Sequence, residues 1–189
     1  MIKNLSTIIL LLFYVSIANS QNNQLPSNTT IANADPFCSD TGILFGNVYD
    51  DDDDTTPRIV AETGTGPNTI NYDCLGAQPN PMWFYIRIDL PGDLSLQIEQ
   101  NTQDDFTGAG IDVDFMAWGP FRENELENIQ NGNFSILNNR DIDCSYSLAP
   151  IETLNILNAE TGSYYLILIT NYDGIQGYVQ MNENFPGQA

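Results

Sequence analysis

Short apolar runs alternate with clusters of Gly, Pro, Asn and Asp along most of the chain. In the run LSLQIEQ the alternation is regular, with Leu94, Leu96 and Ile98 on one side and polar residues between them. Successive side chains of an extended strand point to opposite faces, so this period of two predicts a strand with one buried face. The run SYYLILIT is apolar at both sets of positions, which predicts a central strand covered on each side. Further strand-like runs are TGILFGNVY, MWFYIRIDL, IDVDFMAW, IETLNIL and GYVQM.

The spacing of these runs indicates the fold class. Many short strands separated by turn residues predict an all-β protein, an antiparallel β-sandwich or jelly roll in a single domain. Residues 122–130, RENELENIQ, have helical character and predict a surface helix of one or two turns. No repeat or second-domain boundary is visible, and we expect the domain to cover residues 36–183.

The first 20 residues have the form of a secretory signal peptide. Lys3 supplies a positive charge, residues 8–17 are apolar, and Ala18 and Ser20 are small residues at the positions a signal peptidase inspects. The apolar stretch is shorter than the roughly 20 residues of a membrane-spanning helix. We therefore expect a secreted or cell-surface protein without a membrane span. A flexible, Asn/Gln/Ser/Thr-rich leader is expected over residues 21–35 and a short tail over residues 184–189.

Charge and composition restrict the partners and the chemistry. Without Lys3, 4 Arg face 25 Asp and Glu, a net charge of −21. Such a charge repels phosphate backbones, so nucleic acid is excluded as a partner. The chain contains no His, which removes Ser-His-Asp and Cys-His arrangements and most zinc sites. Because no Ser or Thr has a base beside it, we expect the protein not to be an enzyme.

Two acidic residues in the run IDVDFMAW are the first candidates for a site. Asp112 and Asp114 share one face of the predicted strand, about 6.5–7 Å apart at the backbone. At that separation two carboxylates can share a hard cation such as Ca²⁺, act as an acid–base pair, or remain solvated. These three alternatives stay open on the residues alone. On the same period of two, the core face carries Ile111, Val113, Phe115 and Ala117, and the opposite face also carries Met116 and Trp118.

A run of five carboxylates and a set of aromatic residues are further candidates. Asp50, Asp51 and Asp52 belong to the run YDDDDD, whose mutual repulsion marks an exposed loop. The run lacks the spaced ligands of an EF-hand, which leaves a solvated loop or a weak calcium site. The aromatic residues near predicted turns either stack on the sugar rings of a glycan or lie in the core: Trp83, Trp118 and Phe121.

Three cysteines follow the predicted signal peptide: Cys38, Cys74 and Cys144. In an oxidising exterior an odd count predicts one disulfide and one remaining thiol. Their spacing does not choose among the three possible pairings.

Five blocks of the sequence follow one another in an order that resembles a known family. The blocks read PFCSDTGILFGNV, PNPMWFYIRIDLPGDLSLQIEQ, GIDVDFMAWGPF, DIDCSYS and AETGSYYLILITNY, and the resemblance covers about residues 36–182. Together they resemble the N-terminal β-sandwich module of large secreted, adhesin-like surface proteins of gliding Bacteroidetes-type bacteria. The part from GDLSLQIEQ to GSYYLILIT is also similar to bacterial pre-peptidase C-terminal domains.

The resemblance implies a function and calcium ligands. It implies a non-catalytic module for adhesion, in contact with an extracellular protein or glycan, or alternatively an ancillary domain that targets a secreted hydrolase to its substrate. Collagen-binding modules of the pre-peptidase type bind Ca²⁺ through carboxylates. By that likeness Asp112 and Asp114 are the implied ligands, followed by the residues of the acidic run, Asp50, Asp51 and Asp52.

The resemblance also implies a cysteine pairing. In the family a cysteine after the GPF segment pairs with the one in DCSYS, and this chain has none in that stretch. The implied disulfide is therefore Cys38–Cys74, with Cys144 as a free thiol.

Overall fold

The computed structural model describes residues 28–37, 44–47 and 60–185, and nine strands and one α-helix lie in these ranges. The helix α1 spans Glu123–Gln130, and short 3₁₀ turns lie at Ile31–Asn33, Gly66–Asn68 and Phe134–Leu137. The strands are β1 (Asp35–Pro36), β2 (Leu44–Asn47), β3 (Met82–Arg87), β4 (Gly92–Asn101), β5 (Val113–Phe121), β6 (Asp141–Ser145), β7 (Ile151–Ala159), β8 (Tyr164–Asn171) and β9 (Gly177–Glu183).

The strands form two sheets. One has five strands in the order β1-β3-β8-β5-β6, and the other has four in the order β2-β9-β4-β7. The strand pairs are antiparallel, apart from the short parallel pair of β1 and β3. The predicted all-β sandwich is confirmed. No helix in the described ranges is long and apolar enough to cross a membrane.

The first core lies between the two sheets. From β4 it receives Leu94, Leu96 and Ile98, the three residues that the alternation of LSLQIEQ placed on one face. From the five-stranded sheet it receives, among others, Phe115 of β5 and Ile167 of β8. The local period of two was therefore sufficient to identify the buried face of these strands.

A second core covers the outer face of the five-stranded sheet. Met116 and Trp118 of β5 and Leu168 of β8 face it, opposite to the side chains of the first core. The predicted division of IDVDFMAW into two faces is confirmed, but the second face is buried by further segments of the chain. These segments are the 3₁₀ turn at Ile31–Asn33, the loop before β3, α1 and the turn at Phe134–Leu137.

The N-terminal segment, residues 28–37, contradicts one sequence-based expectation. Ile31 is fully buried in the second core, and Asn28 exchanges hydrogen bonds with the main chain of Trp83. The N–H of Phe37 donates to the carbonyl of Tyr85 at 2.8 Å. The prediction of a flexible leader is therefore wrong for residues 28–35, because an apolar residue among polar ones anchors them to the sheet.

Helix α1 is confirmed at the place where the sequence predicts it. At its N-terminus the Glu125 carboxylate accepts a hydrogen bond from the N–H of Arg122 at 2.8 Å, which satisfies a donor that the helix leaves unpaired. Leu126 and Ile129, three positions apart, are buried against the second core. The helix thus belongs to the layer that covers the five-stranded sheet.

Candidate binding pocket

The sheet topology brings three chain segments together at one end of β5. Strands β6 and β8 flank β5 and run antiparallel to it. Residues that follow the ends of β6 and β8 therefore meet the residues at the start of β5. In this way Asp112 and Asp114 come to lie beside Tyr146 and Tyr172, which are distant from them in sequence.

These residues line a cavity of about 150 Å³ that opens to solvent. Its inner part is acidic, since Asp112 is 8% exposed and Asp114 only 1% exposed. Its outer part is aromatic and aliphatic, because Tyr146 is 44% exposed, Tyr172 40% and Leu148 largely exposed. We call this cavity the carboxylate–tyrosine pocket; the six residues that line it are Asp112, Asp114, Tyr146, Ser147, Leu148 and Tyr172.

The two buried carboxylates are incompletely hydrogen-bonded. Asp114 Oδ1 accepts a hydrogen bond from the N–H of Ser147 at 3.0 Å. Asp114 Oδ2 and Asp112 Oδ1 are buried and have no hydrogen-bond partner among the described residues. A buried acceptor without a donor costs about 1–3 kcal/mol, and more when it is charged. Two such oxygens in one pocket are the feature expected of a site that receives a donor from outside the described residues.

Burial and mutual repulsion change the ionisation of this pair. Burial, with the negative charge of Asp112 as the next cause, raises the pKa of Asp114 to about 7 from its ordinary value of 3.8. Burial also raises the pKa of Asp112, with repulsion from Asp173 and Glu152 as further causes. Near neutral pH the pocket therefore holds a proton that it can release when a cation enters.

No basic side chain from the described residues lines the pocket. Arg87 pairs with Asp89, and Arg140 with Glu125. The three described arginines lie at the opposite end of the five-stranded sheet. Arg87 is level with Tyr164 at the start of β8, Arg140 stacks on Phe121, and Arg122 follows Phe121 at the end of β5. The negative potential at the pocket is thus not offset from within these parts of the chain.

Packing holds the aromatic rim in place. The rings of Tyr146 and Tyr172 meet edge to face, with centroids 5.9 Å apart and an angle of 79°. Tyr146 also lies against Gly76, where an added Cβ would come within 3.2 Å of its ring. Such contacts limit the rotation of an exposed aromatic side chain, so the rim is preformed.

A disulfide lies directly beside this rim. It joins Cys74 to Cys144, with their Cα atoms 6.2 Å apart. Cys144 is level with Met116 in the β5–β6 ladder, and its side chain packs against the second core. There it meets the loop that carries Cys74.

This bond corrects the pairing that the family resemblance implied. The Cys38–Cys74 disulfide is wrong, and Cys144 is not a free thiol. The side-chain direction of Cys144 depends on the register of β6 against β5. The spacing of the cysteines in the sequence does not specify this register. Cys38 itself lies outside the described residues.

The aromatic residues proposed as ligand contacts are in the core. Trp83 and Trp118 stack on each other with ring centroids 5.7 Å apart, and both are buried, as is Phe121. The prediction that these three residues contact a ligand is wrong, because none of them presents a face to solvent. The physical reason is that β3 and β5 are covered on both faces. These aromatic residues face the second core and alternate along the strands with residues of the first core.

The predicted calcium ligands are brought together only in part. Asp112 and Asp114 share the pocket, whereas Asp50, Asp51 and Asp52 lie outside the described residues. Ca²⁺ takes six to eight oxygen ligands. Within the ranges that the structure describes, no group of three or more His, Cys, Asp or Glu side chains is arranged to hold a metal ion. The described residues therefore do not complete a calcium shell, and calcium binding stays a prediction.

Four lining residues of the pocket were not singled out in the sequence: Tyr146, Ser147, Leu148 and Tyr172. Glu152 and Asp173, whose negative charges raise the pKa of both aspartates, were not singled out either. Tyr146 and Tyr172 each follow a strand-like segment, in DCSYS and in ITNYDG. This position at the end of a strand was the sequence signal by which the two tyrosines could have been identified. Their convergence on Asp112 depends on strand order, which the sequence pattern does not supply.

Comparisons with known proteins add a distant likeness. No family model matches the chain, and no curated protein matches it. Among solved structures, the chain is similar to the pre-peptidase C-terminal domain of collagenase from Bacillus anthracis. The two are 11% identical with a TM-score of 0.40, over 80% of this chain and 94% of that chain. A likeness at this level assigns neither a family nor a function, and the resemblance to adhesin-like modules stays a prediction.

Proposed function

We propose that the protein is an extracellular, non-catalytic binding module and that the carboxylate–tyrosine pocket is its contact site. The observation that carries this proposal is a pair of buried carboxylate oxygens, without a hydrogen-bond partner in the described part of the chain, beneath an exposed tyrosine rim. Buried polar atoms are normally satisfied, and exposed aromatic residues are enriched at binding surfaces.

The surroundings of the pocket support binding rather than catalysis. Asp114 is held by the Ser147 N–H, and no described Lys, Arg or Cys side chain lines the cavity as a second reactive group. Acid–base hydrolysis needs one carboxyl held protonated and another ionised across the bond that breaks. Here both carboxylates lie close together in the chain, Asp114 in β5 and Asp112 just before it, at the base of a small cavity.

An extracellular location rests on two features. The first 20 residues have the pattern of a signal peptide. The Cys74–Cys144 disulfide is of the kind that persists in oxidising compartments. Adhesion through an extracellular protein or glycan is the role that fits these features and the acidic pocket together.

A binding array tests the proposal directly. The secreted chain is applied to glycans, matrix proteins and polysaccharides, with and without chelator, beside the variant Asp112→Asn/Asp114→Asn. The exposed Asp104→Asn serves as the matched control. We expect at least one ligand whose binding falls tenfold or more in the double variant and is unchanged in the control.

Each other outcome of the array has a defined meaning. Equal binding by all three proteins would place the contact site elsewhere, and no binding at all would overturn the proposal. Binding to a structural polymer such as collagen would favour the role of a targeting domain for a hydrolase. Cleavage of an array polymer that Asp112→Asn abolishes would show an enzyme instead.

A further inference from the structure

We propose that the carboxylate–tyrosine pocket binds a protonated alkylamine, and that its natural occupant is a lysine side chain on a protein partner. This inference rests on the proposed function, because it names the chemical group that the contact site receives. It follows from the volume, the hydrogen-bonding deficit and the rim of the pocket.

The volume of the pocket suits the end of a lysine side chain. A cavity of about 150 Å³ accepts a ligand of about six heavy atoms, as engineered cavities of that volume accept benzene. The terminal butylammonium group of lysine has five heavy atoms. A whole sugar ring with its hydroxyl groups is larger than this space.

The hydrogen-bonding deficit matches an ammonium group. The unpartnered oxygens belong to two different carboxylates, Asp112 Oδ1 and Asp114 Oδ2. An ammonium group has three donors around a point charge and can reach acceptors in separate directions, whereas a guanidinium group is a planar fork suited to one carboxylate. The arrangement therefore favours lysine over arginine.

The rim provides the remaining contacts. Tyr146 and Tyr172 are exposed and mutually packed, and Leu148 completes an apolar wall. Aromatic faces attract organic cations, and the methylene groups of a lysine stem pack on apolar surface. Such a wall offers Ca²⁺ few oxygen ligands, so the pocket suits a monovalent organic cation better than a metal ion.

Charge complementarity determines the sign of the partner. The chain carries a net charge of −20, and no basic side chain of the described residues lines the cavity. A lysine-bearing protein surface is attracted by this field, and its attraction weakens with added salt.

The experiment measures amine binding to the secreted chain by calorimetry and NMR. The probes are Nα-acetyl-lysine methylamide, the corresponding arginine derivative, n-butylammonium, tetramethylammonium and CaCl₂. We expect the lysine derivative to bind with a Kd on the order of 1 mM at pH 8, as suits a ligand of this size.

Variants locate the binding to the pocket. Asp112→Asn/Asp114→Asn is expected to abolish binding, and Tyr172→Leu to weaken it about tenfold because the aromatic face is lost while the apolar contact remains. The exposed Asp104→Asn is expected to retain it. Melting temperatures of all variants confirm that they are folded.

The outcomes separate this inference from the proposed function. Tighter binding of the arginine derivative, of CaCl₂ or of free n-butylammonium by tenfold or more would overturn the lysine assignment. If no amine binds but an array ligand still depends on Asp112 and Asp114, the inference falls and the proposed function stands. If nothing depends on these residues, both fall.

Discussion

Asp114 shows how much one buried residue can influence the properties of this protein. It lies on a strand whose other outward-facing residues, Met116 and Trp118, are apolar and buried. Its carboxyl group accepts a hydrogen bond from the main-chain N–H of Ser147 and is next to a second acid, Asp112. Residues with ionisation so far from the ordinary range concentrate at functional sites.

The raised pKa of Asp114 predicts how stability depends on pH. The folded state keeps the proton up to about pH 7, whereas the unfolded chain loses it near pH 4. Raising the pH between these values therefore destabilises the folded state, on the order of a few kcal/mol at full effect. Asp114→Asn removes this penalty, so we expect a higher melting temperature at pH 8 and a smaller fall in melting temperature between pH 4 and 7.

Thermal melts at several pH values check this prediction. Each kcal/mol corresponds to about 2–4 °C in a domain of this size. The exposed Asp104→Asn should melt like the wild type at every pH. A variant at position 114 that melts lower than the wild type at pH 8 would show that the ionised carboxyl stabilises the fold.

At the scale of elements, the outer layer depends on a few anchors. Ile31 holds the N-terminal segment, Leu126 and Ile129 hold α1, and the Cys74–Cys144 bond holds the loop before β3 against β6. β6 itself was not predicted, because DIDCS is short and acidic. It becomes a strand through its ladder with β5.

The disulfide pairing gives a prediction at this scale. The bond closes a loop with a sequence separation of 70 residues, which is worth about 4 kcal/mol in the chain-entropy model. Cys74→Ser/Cys144→Ser is expected to lower the free energy of unfolding by about that amount, as measured in urea. Mapping of unreduced peptides should find Cys74 joined to Cys144.

Cys38→Ser is the matched control for this experiment. It is expected to leave both the linked peptide and the free energy of unfolding unchanged. A peptide that links Cys38 to Cys74 would contradict the pairing seen in the structure.

At the scale of the molecule, the five-stranded sheet contributes side chains to both cores. β5 places Phe115 in the first core and Met116 in the second, and β8 is buried on both faces. Neither core can lose its packing without exposing the strands that support the other. The fold is therefore expected to unfold as one cooperative unit.

The two tryptophans of the chain make this testable. Trp83 and Trp118 both lie in the second core, so their fluorescence reports on the outer layer. Far-UV circular dichroism reports on both sheets. We expect the two signals to give the same melting midpoint within about 1 °C, as a two-state transition requires.

An earlier fluorescence transition would show that the outer layer detaches first. Trp118→Phe keeps Trp83 as the remaining reporter and serves as the control. Its fluorescence midpoint should again coincide with its circular dichroism midpoint.

Local patterns determined the fold class, most of the strands and the division of IDVDFMAW into two faces. This is because the alternation of side chains along a strand is a property of the backbone and needs no information about neighbours. For the same reason the sequence placed Asp112 and Asp114 on one face. The helix in RENELENIQ was likewise predicted from its local pattern. It also supplied the composition that removes histidine-dependent chemistry.

Only the tertiary structure decided which strands are neighbours, and the site depends on that order. Tyr146 and Tyr172 reach the two aspartates because β6 and β8 flank β5 in antiparallel directions. The burial of Trp83, Trp118 and Phe121 and the choice of Cys144 as the partner of Cys74 follow from the layer packed on the outer face. These features result from contacts between residues far apart in the chain, whose free energies no local pattern contains.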